Sequence, residues 1–181
     1  MLSLISSVLL ILFMVVVIVS LLFETKTHIP PVPTLPWVKL KIITLLCRHR
    51  SQDTPLKIAE LGSGWGGVCF SVAKTFPKSH VIGYEISPFP YYYSKIRKLF
   101  SRKHVTFTKE SFFEADLSEF DVIICYLSPK HMEWLKDKFE TELKPNTLII
   151  SNAFPIPDST PIEEDMTHIL VKIPVYIYKV A

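Results

Sequence analysis

Glycine is scarce in this chain, five in 181 residues, and four of the five fall between positions 62 and 67. A chain so poor in glycine places it where a side chain cannot be tolerated. Cysteine is scarcer still. Cys47, Cys69 and Cys125 are scattered and form no Cys-x-x-Cys pair, which argues against a disulfide framework and a zinc site and leaves them as small buried apolar residues. Charge is nearly balanced, 20 Lys+Arg against 17 Asp+Glu, for a net of +3. That excess is too small to imply nucleic acid, and no such partner is expected. From Met1 to Phe23 charge is absent altogether, and no internal repeat or low-complexity tract is visible.

The uncharged stretch has an apolar centre, Leu9 to Val19. As a helix at about 1.5 Å per residue it is about 34 Å long, enough to cross a hydrocarbon core of about 30 Å. A signal peptide would want a basic start, a shorter apolar run and a small-x-small cleavage site. No Lys or Arg precedes the run, and Ser20-Leu21-Leu22-Phe23-Glu24 is a poor cleavage site. The expectation is an uncleaved single-pass transmembrane helix over residues 1–23. The first cations after it are Lys26, Lys39, Lys41, Arg48 and Arg50. They mark its cytoplasmic side, so the rest of the chain is expected to face the cytoplasm from the membrane. Residues 24–36 read as a stiff linker carrying Pro30, Pro31, Pro33 and Pro36. Residues 37–181 remain for a single domain with a real core.

Trp37 to Arg50, with apolar Leu40, Ile43, Leu46 and Cys47, suits an amphipathic helix. From Leu56 onward strands and helices alternate. Strands are expected at Leu56–Leu61, His80–Glu85, His104–Phe107, Asp121–Tyr126 and Thr147–Ser151. Helices are expected from Gly66 to Phe76, from the Ser87-Pro88 pair to about Ser101, and behind Ser128-Pro129, where Met132, Leu135, Phe139 and Leu143 make one stripe. In both Ser-Pro pairs the serine suits the N-cap and the proline the first helical position. His168–Lys172 and Val175–Val180 read as a final antiparallel strand pair. Near-continuous apolar strands between helices indicate a mostly parallel α/β sheet covered on both faces. Right-handed crossovers with a reversal after the third strand make it doubly wound. Only about a dozen residues separate Phe107 from Asp121, so the third connecting helix is expected to be missing or vestigial. The ligand crevice lies at the carboxyl ends of the strands beside the reversal.

A strand, the glycine turn and a helix together make a nucleotide-binding corner. Gly62, Gly64 and Gly67 fit the G-x-G-x-x-G spacing of a nicotinamide dinucleotide site, with Glu85 as the later ribose acid. Glu60, Gly62, Gly64 and Gly66 fit a second pattern, acid-x-Gly-x-Gly-x-Gly. Here the chain resembles the class I S-adenosylmethionine-dependent methyltransferases, whose cationic amino-acid ligand explains an acid beside the turn. A carboxylate so close to a pyrophosphate would be unfavourable. Within that superfamily it is similar to the small membrane-anchored group of ATP synthase c-subunit lysine methyltransferases. The features shared are the apolar N-terminal span, Val32-Pro33-Thr34, Glu60-Leu61-Gly62-Ser63-Gly64, Asp116 to Val122, Tyr126-Leu127-Ser128-Pro129 and Phe154-Pro155-Ile156-Pro157. That group commonly reads Gly-Ser-Gly-Asp-Gly-Arg at the turn, where this chain has Trp65 and Gly67 in place of the Asp and the Arg.

The resemblance implies a Rossmann-like fold with a C-terminal antiparallel strand pair, S-adenosylmethionine as cofactor, and an acceptor that is a lysine amine of a membrane-associated protein. A lipid or small-molecule acceptor, and a non-catalytic nucleotide-binding module on a membrane anchor, are the alternatives. Glu85 is expected to accept hydrogen bonds from the two ribose hydroxyls through its paired oxygens. Gly62, Ser63 and Gly64 are expected to line the cofactor, with Glu60 near its methionyl end. Trp65 walls the pocket or packs on a helix. Glu110, Ser111 and Phe112 occupy the turn that in this superfamily often contacts adenine. Methyl transfer needs an in-line nucleophile and little acid–base help beyond a neutral amine. Tyr126 and Ser128 are the candidates to orient that amine, with His131 a further candidate base. Asn152 and Phe154 are placed at the border of the acceptor site. Tyr91 to Lys98, with Arg102 and Lys103, is aromatic and basic. It reads as a solvated helix face, or as a contact for anionic lipid or RNA, of which lipid suits the anchor better.

Overall fold

A computed structural model describes Ser7, Met14, residues 33–167 and residues 172–181. The expected span over residues 1–23, Ser7 and Met14 apart, and most of the linker over 24–36 lie outside the described residues. Among the described residues no helix is long and apolar enough to cross a membrane. Val32–Ala181 is a compact unit. Its elements are α1 (Pro36–His49), β1 (Lys57–Leu61), α2 (Gly67–Thr75), β2 (His80–Tyr84), α3 (Pro88–Leu99), β3 (Val105–Thr108), β4 (Val122–Cys125), α4 (Pro129–Glu142), β5 (Leu148–Asn152), β6 (Glu163–Met166) and β7 (Pro174–Lys179). No helix forms between β3 and β4, as the short spacing implies.

The strands form one sheet in the order β3-β2-β1-β4-β5-β7-β6. The five strands β1 to β5 are parallel, and β7 runs antiparallel between β5 and β6. The order reverses between β1 and β4, which opens a crevice above the carboxyl ends of those two strands. The period of two along a strand divides the core. Ile58, Val122, Ile124, Leu148 and Ile150 pack with α1 and α2 in one buried cluster. Cys125 points the other way, its Sγ 3.8 Å from Met132 of α4. The expected α4 stripe of Met132, Leu135, Phe139 and Leu143 is buried.

One expectation is not tested and one is corrected. The expected strand over His168–Lys172 lies, for residues 168–171, outside the described residues; the described strand that pairs with β7 at the sheet edge is Glu163–Met166. It is a polar edge strand with no apolar run to announce it. The buried stripe of α1 is Val38, Ile42, Leu45 and Leu46, whereas Leu40 is 63% exposed. This phase turns the basic side of α1 toward the acidic edge strand. Lys41 pairs with Asp165 at 2.9 Å, Arg48 with Glu163 at 2.5 Å, and His49 Nε2 lies 2.7 Å from Glu163. Hydrogen bonds from His49 and then Arg48 hold the Glu163 carboxyl below its ordinary range, and the bond from Lys41 does the same for Asp165. Depressed carboxyl values add stability above about pH 4.5 that is lost as acid protonates the groups.

The phase of α1 has a direct mutational consequence. Leu45→Ala removes a fully buried side chain and is expected to cost about 2–5 kcal/mol in urea unfolding. Leu40→Ala is expected to stay within about 0.5 kcal/mol. Equal effects would mean that the helix is rotated.

Candidate functional site

The turn between β1 and α2 is tied down from several sides. The Ser63 amide donates to the Tyr84 carbonyl at 2.8 Å, and the Gly66 amide donates to the Ser63 carbonyl at 2.8 Å. Glu85 follows β2 and is buried. Its Oε2 accepts the Gly64 amide and its Oε1 the Ser87 amide, each at 2.7 Å. From α3, the Ser94 hydroxyl donates to the Gly64 carbonyl at 3.1 Å. Gly64 itself has φ +50°, and apart from its chain neighbours nothing lies within 4 Å of where a Cβ would stand. Gly66, at φ +71°, differs: a Cβ there would meet the Phe107 ring at 2.6 Å. One glycine therefore opens the turn toward the crevice, and the other closes it onto the core.

Glu60 alternates with Ile58 on the side of β1 that faces α2. It is 7% exposed, and its Oε2 accepts the Cys69 amide at 2.8 Å. That amide belongs to the first turn of α2, where donors lack intrahelical partners. Burial dominates the carboxyl and pushes its pKa up to about 8, against the bonds from Cys69, which favour the ionised form; the nearby Glu85 adds to the rise. Burial thus favours the protonated form of Glu60, beside the turn. A cation brought near it would draw the proton off.

Around the mouth, Trp65 is half-buried and meets Tyr93 of α3 edge-to-face, centroids 5.3 Å apart. Glu110 and Ser111 are half-buried in the stretch after β3. Phe112 is buried, 4.6 Å from the Phe113 ring and 6.4 Å from His131. After β4, Tyr126 is exposed and stacks on Phe154 from the end of β5, with an interplanar angle of 12°. Ser87 and Ser128 occupy N-cap positions followed by proline, but neither makes a side-chain capping bond. Instead, the Ser128 hydroxyl lies 2.7 Å from His131 Nδ1. The buried His131 ring stacks on Phe113 at 6.1 Å and meets Trp134 edge-on at 5.5 Å. Phe113 and Trp134 carried no sequence signal, because each joins the rim only through partners from another element or another turn. Two buried polar atoms at this end, Ser63 Oγ and Asn152 Oδ1, have no hydrogen-bond partner among the described residues.

A hollow of about 550 Å³ lies at the opposite, amino ends of the strands, lined by Lys57, Lys78, His80, Glu119, Asp121 and Lys144 among others. Its charges are internally matched: Lys57 pairs with Glu119, and Lys144 with Asp121 at 2.8 Å. The crevice, by contrast, collects a bare glycine turn, exposed aromatic rings and a displaced carboxyl pKa, which together make it the candidate ligand site.

Comparison with known proteins places the chain among methyltransferases. A family model described as the ANTKMT methyltransferase domain matches residues 60–163. A protein-lysine N-methyltransferase of Saccharolobus islandicus (strain REY15A) is 33% identical over 136 residues, covering 71% of this chain and 79% of that protein. The human lysine N-methyltransferase of the ATP synthase c-subunit is 27% identical over 139 residues; the match covers 75% of this chain but only 56% of that longer protein. Among solved structures, an RNA methyltransferase from Salinibacter ruber in complex with S-adenosyl-L-homocysteine superposes with a TM-score of 0.72 at 26% identity, covering 82% of this chain and 94% of the other.

The Glu60 environment predicts a pH signature. Its folded-state value lies above the ordinary 4.5, so its contribution to stability is full below pH 4.5 and is lost as pH rises to about 8. Glu60→Gln keeps an oxygen for the Cys69 amide and cannot ionise. Thermal melts between pH 6 and 9 are expected to show the wild type losing stability that the variant keeps, by an amount on the order of 1 kcal/mol. Parallel curves would place Glu60 in a solvated setting.

Proposed function

The chain belongs to the methyltransferase family whose domain spans residues 60–163, and on that premise we propose that it methylates a lysine amine of a protein at a membrane surface, with S-adenosylmethionine as donor. The observation that carries the acceptor class is the aromatic rim of the crevice. Tyr126 stacked on Phe154 and the Phe113–His131–Trp134 cluster flank Ser128 from two sides. Aromatic faces attract an ammonium group, by about 0.5–1 kcal/mol where exposed and more where desolvated. Such a rim suits a long cationic side chain. The lysine activity named for the Saccharolobus relative supports the same class.

The residues present fit the donor. Gly64 leaves room for a ligand against the backbone, whereas the Ser63 side chain is buried and turns toward Gly83, so Ser63 can meet the ligand only through its backbone. Each Glu85 oxygen that accepts one backbone amide keeps a second lone pair for a ribose hydroxyl. Glu60 sits where a cationic methionyl end would lower its pKa. Glu110, Ser111 and Phe112 border the adenine side in this reading, and Trp65 on Tyr93 closes the outer wall. When bound, the donor supplies an electrophilic methyl on a sulfonium and leaves as the thioether.

The protein's own task is to deliver a neutral amine in line. Tyr126 and Phe154 hold the aliphatic stem, and the Ser128 oxygen accepts a hydrogen bond from the amine. His131 Nδ1, beside that hydroxyl, is placed to receive the proton the nitrogen must lose. His131 acts through Ser128 and is a positioning residue. Residues 1–23 serve as the anchor in this proposal, supported by their length and lack of charge.

The test is incubation of the full chain with labelled donor and native membranes, followed by acid hydrolysis. Label is expected as methyllysine. Ser128→Ala is expected to lower kcat roughly 10²-fold with donor affinity unchanged. Label recovered in the lipid extract instead would contradict the acceptor class.

A further inference from the structure

Outside the segment around α3, about half of the basic side chains among the described residues meet an acid: Lys41, Arg48, Lys57, Lys78, Lys136, Lys138 and Lys144 make ion pairs, whereas Lys39, Arg50, Lys74, Lys130, Lys172 and Lys179 do not. The segment around α3 breaks that pattern. From Ile86 to Lys109 the sequence holds Lys95, Arg97, Lys98, Arg102, Lys103 and Lys109 and no Asp or Glu. Among the described residues none of these six takes part in an ion pair. Lys98 instead donates to the carbonyls of Ser101 and Lys103, which fixes the turn after the helix. Arg97 lies over the Phe70 ring at 4.3 Å, and Lys109 over Tyr92 at 5.4 Å.

On the same helix Pro90 and Ser94 are buried. The outward stripe is apolar. Tyr92 is 56% exposed, Ile96 58%, Leu99 81% and Phe100 88%. Their spacing of i, i+4, i+7 and i+8 puts them on one face from the second turn of the helix to its C-cap residue Phe100. Leu99 and Phe100 are the most exposed large apolar side chains among the described residues. Single exposed apolar residues are ordinary; a continuous stripe within an acid-free basic zone is not.

We propose that α3 and the turn after it form a docking surface for an anionic lipid bilayer, with Ile96, Leu99 and Phe100 entering the headgroup region and Lys95, Arg102 and Lys103 facing lipid phosphates and carboxylates. The occupant follows from the chemistry. The unmatched cations call for an anionic surface, and bare aliphatic side chains beside them call for an apolar layer beneath it. An RNA strand would satisfy the cations and stack on tyrosine but would give Ile96 and Leu99 no partner. The stripe runs from the second turn of α3 to its C-cap, so that part of the helix lies along the surface. Its amino end adjoins Glu85 through the Ser87 amide, which brings the crevice beside the headgroups. This surface depends neither on methyl transfer nor on residues 1–23.

The test reads the contact locally, so that insertion elsewhere in the full chain does not mask it. In Phe100→Trp, the added indole is expected to be quenched by brominated acyl chains in vesicles of phosphatidylcholine mixed with phosphatidylserine, beyond the quenching of the wild-type chain. That increment is expected to disappear on phosphatidylcholine alone, at high salt, and in the Lys95→Glu/Arg102→Glu/Lys103→Glu background. Lys95, Phe100 and Arg102 are exposed and Lys103 is half-buried, and unchanged far-ultraviolet circular dichroism checks the fold. No increment on anionic vesicles, or an equal one on neutral vesicles, would overturn the proposal. A response of the same indole to single-stranded RNA but not to vesicles would assign the surface to nucleic acid and overturn it as well.

Discussion

Glu85 is the side chain on which the crevice depends. One carboxylate, buried at the end of β2, holds the amide of Gly64 on one side and that of Ser87 on the other. It thereby joins the glycine turn to the start of α3. A buried carboxylate is costly unless its lone pairs are used, and here backbone donors 2.7 Å away use one on each oxygen. The Ser94 hydroxyl on the Gly64 carbonyl fixes the other edge of the same peptide. The turn is therefore rigid before any ligand arrives, which limits the ordering cost of binding.

Glu60 shows the opposite economy. It caps the first turn of α2, yet burial favours its protonated form at a cost to the fold. Val or Ile in its place would continue the apolar run that Ile58 begins. A protein that keeps an acid there retains something that packing does not require, and a cationic ligand beside the turn gives the acid its use. The two carboxylates thus divide the work: Glu85 shapes the site, and Glu60 tunes its charge.

Much of this was legible in the sequence. The apolar runs at Ile58, Val122 and Leu148 located the parallel strands, the dozen residues after Phe107 announced the missing helix, and the glycine cluster located the crevice. What stayed hidden was set by partners far along the chain. The phase of α1 is not legible from its own residues, because Leu40 looks as buriable as Leu45 and the pairing of its basic side with Glu163 and Asp165 comes from more than a hundred residues away. The strand β6 carries no hydrophobic period to announce it, and its charges discourage pairing with other chains. Ser128 was read as a cap from its proline neighbour, but the His131 ring competes for the hydroxyl. Tyr126 and Phe154 were each singled out, yet their stacking appears only when β4 and β5 are laid side by side.

The decisive measurement is a calorimetric titration of the full chain with S-adenosylmethionine and, separately, with NAD, in the wild type and in Glu85→Ala. Micromolar binding of S-adenosylmethionine is expected in the wild type, weakened by a factor of ten or more, about 1.4 kcal/mol, in the variant, with NAD giving no heat. Preferential binding of NAD, or undiminished binding of S-adenosylmethionine by a folded Glu85→Ala chain, would contradict the reading of this crevice as the donor site.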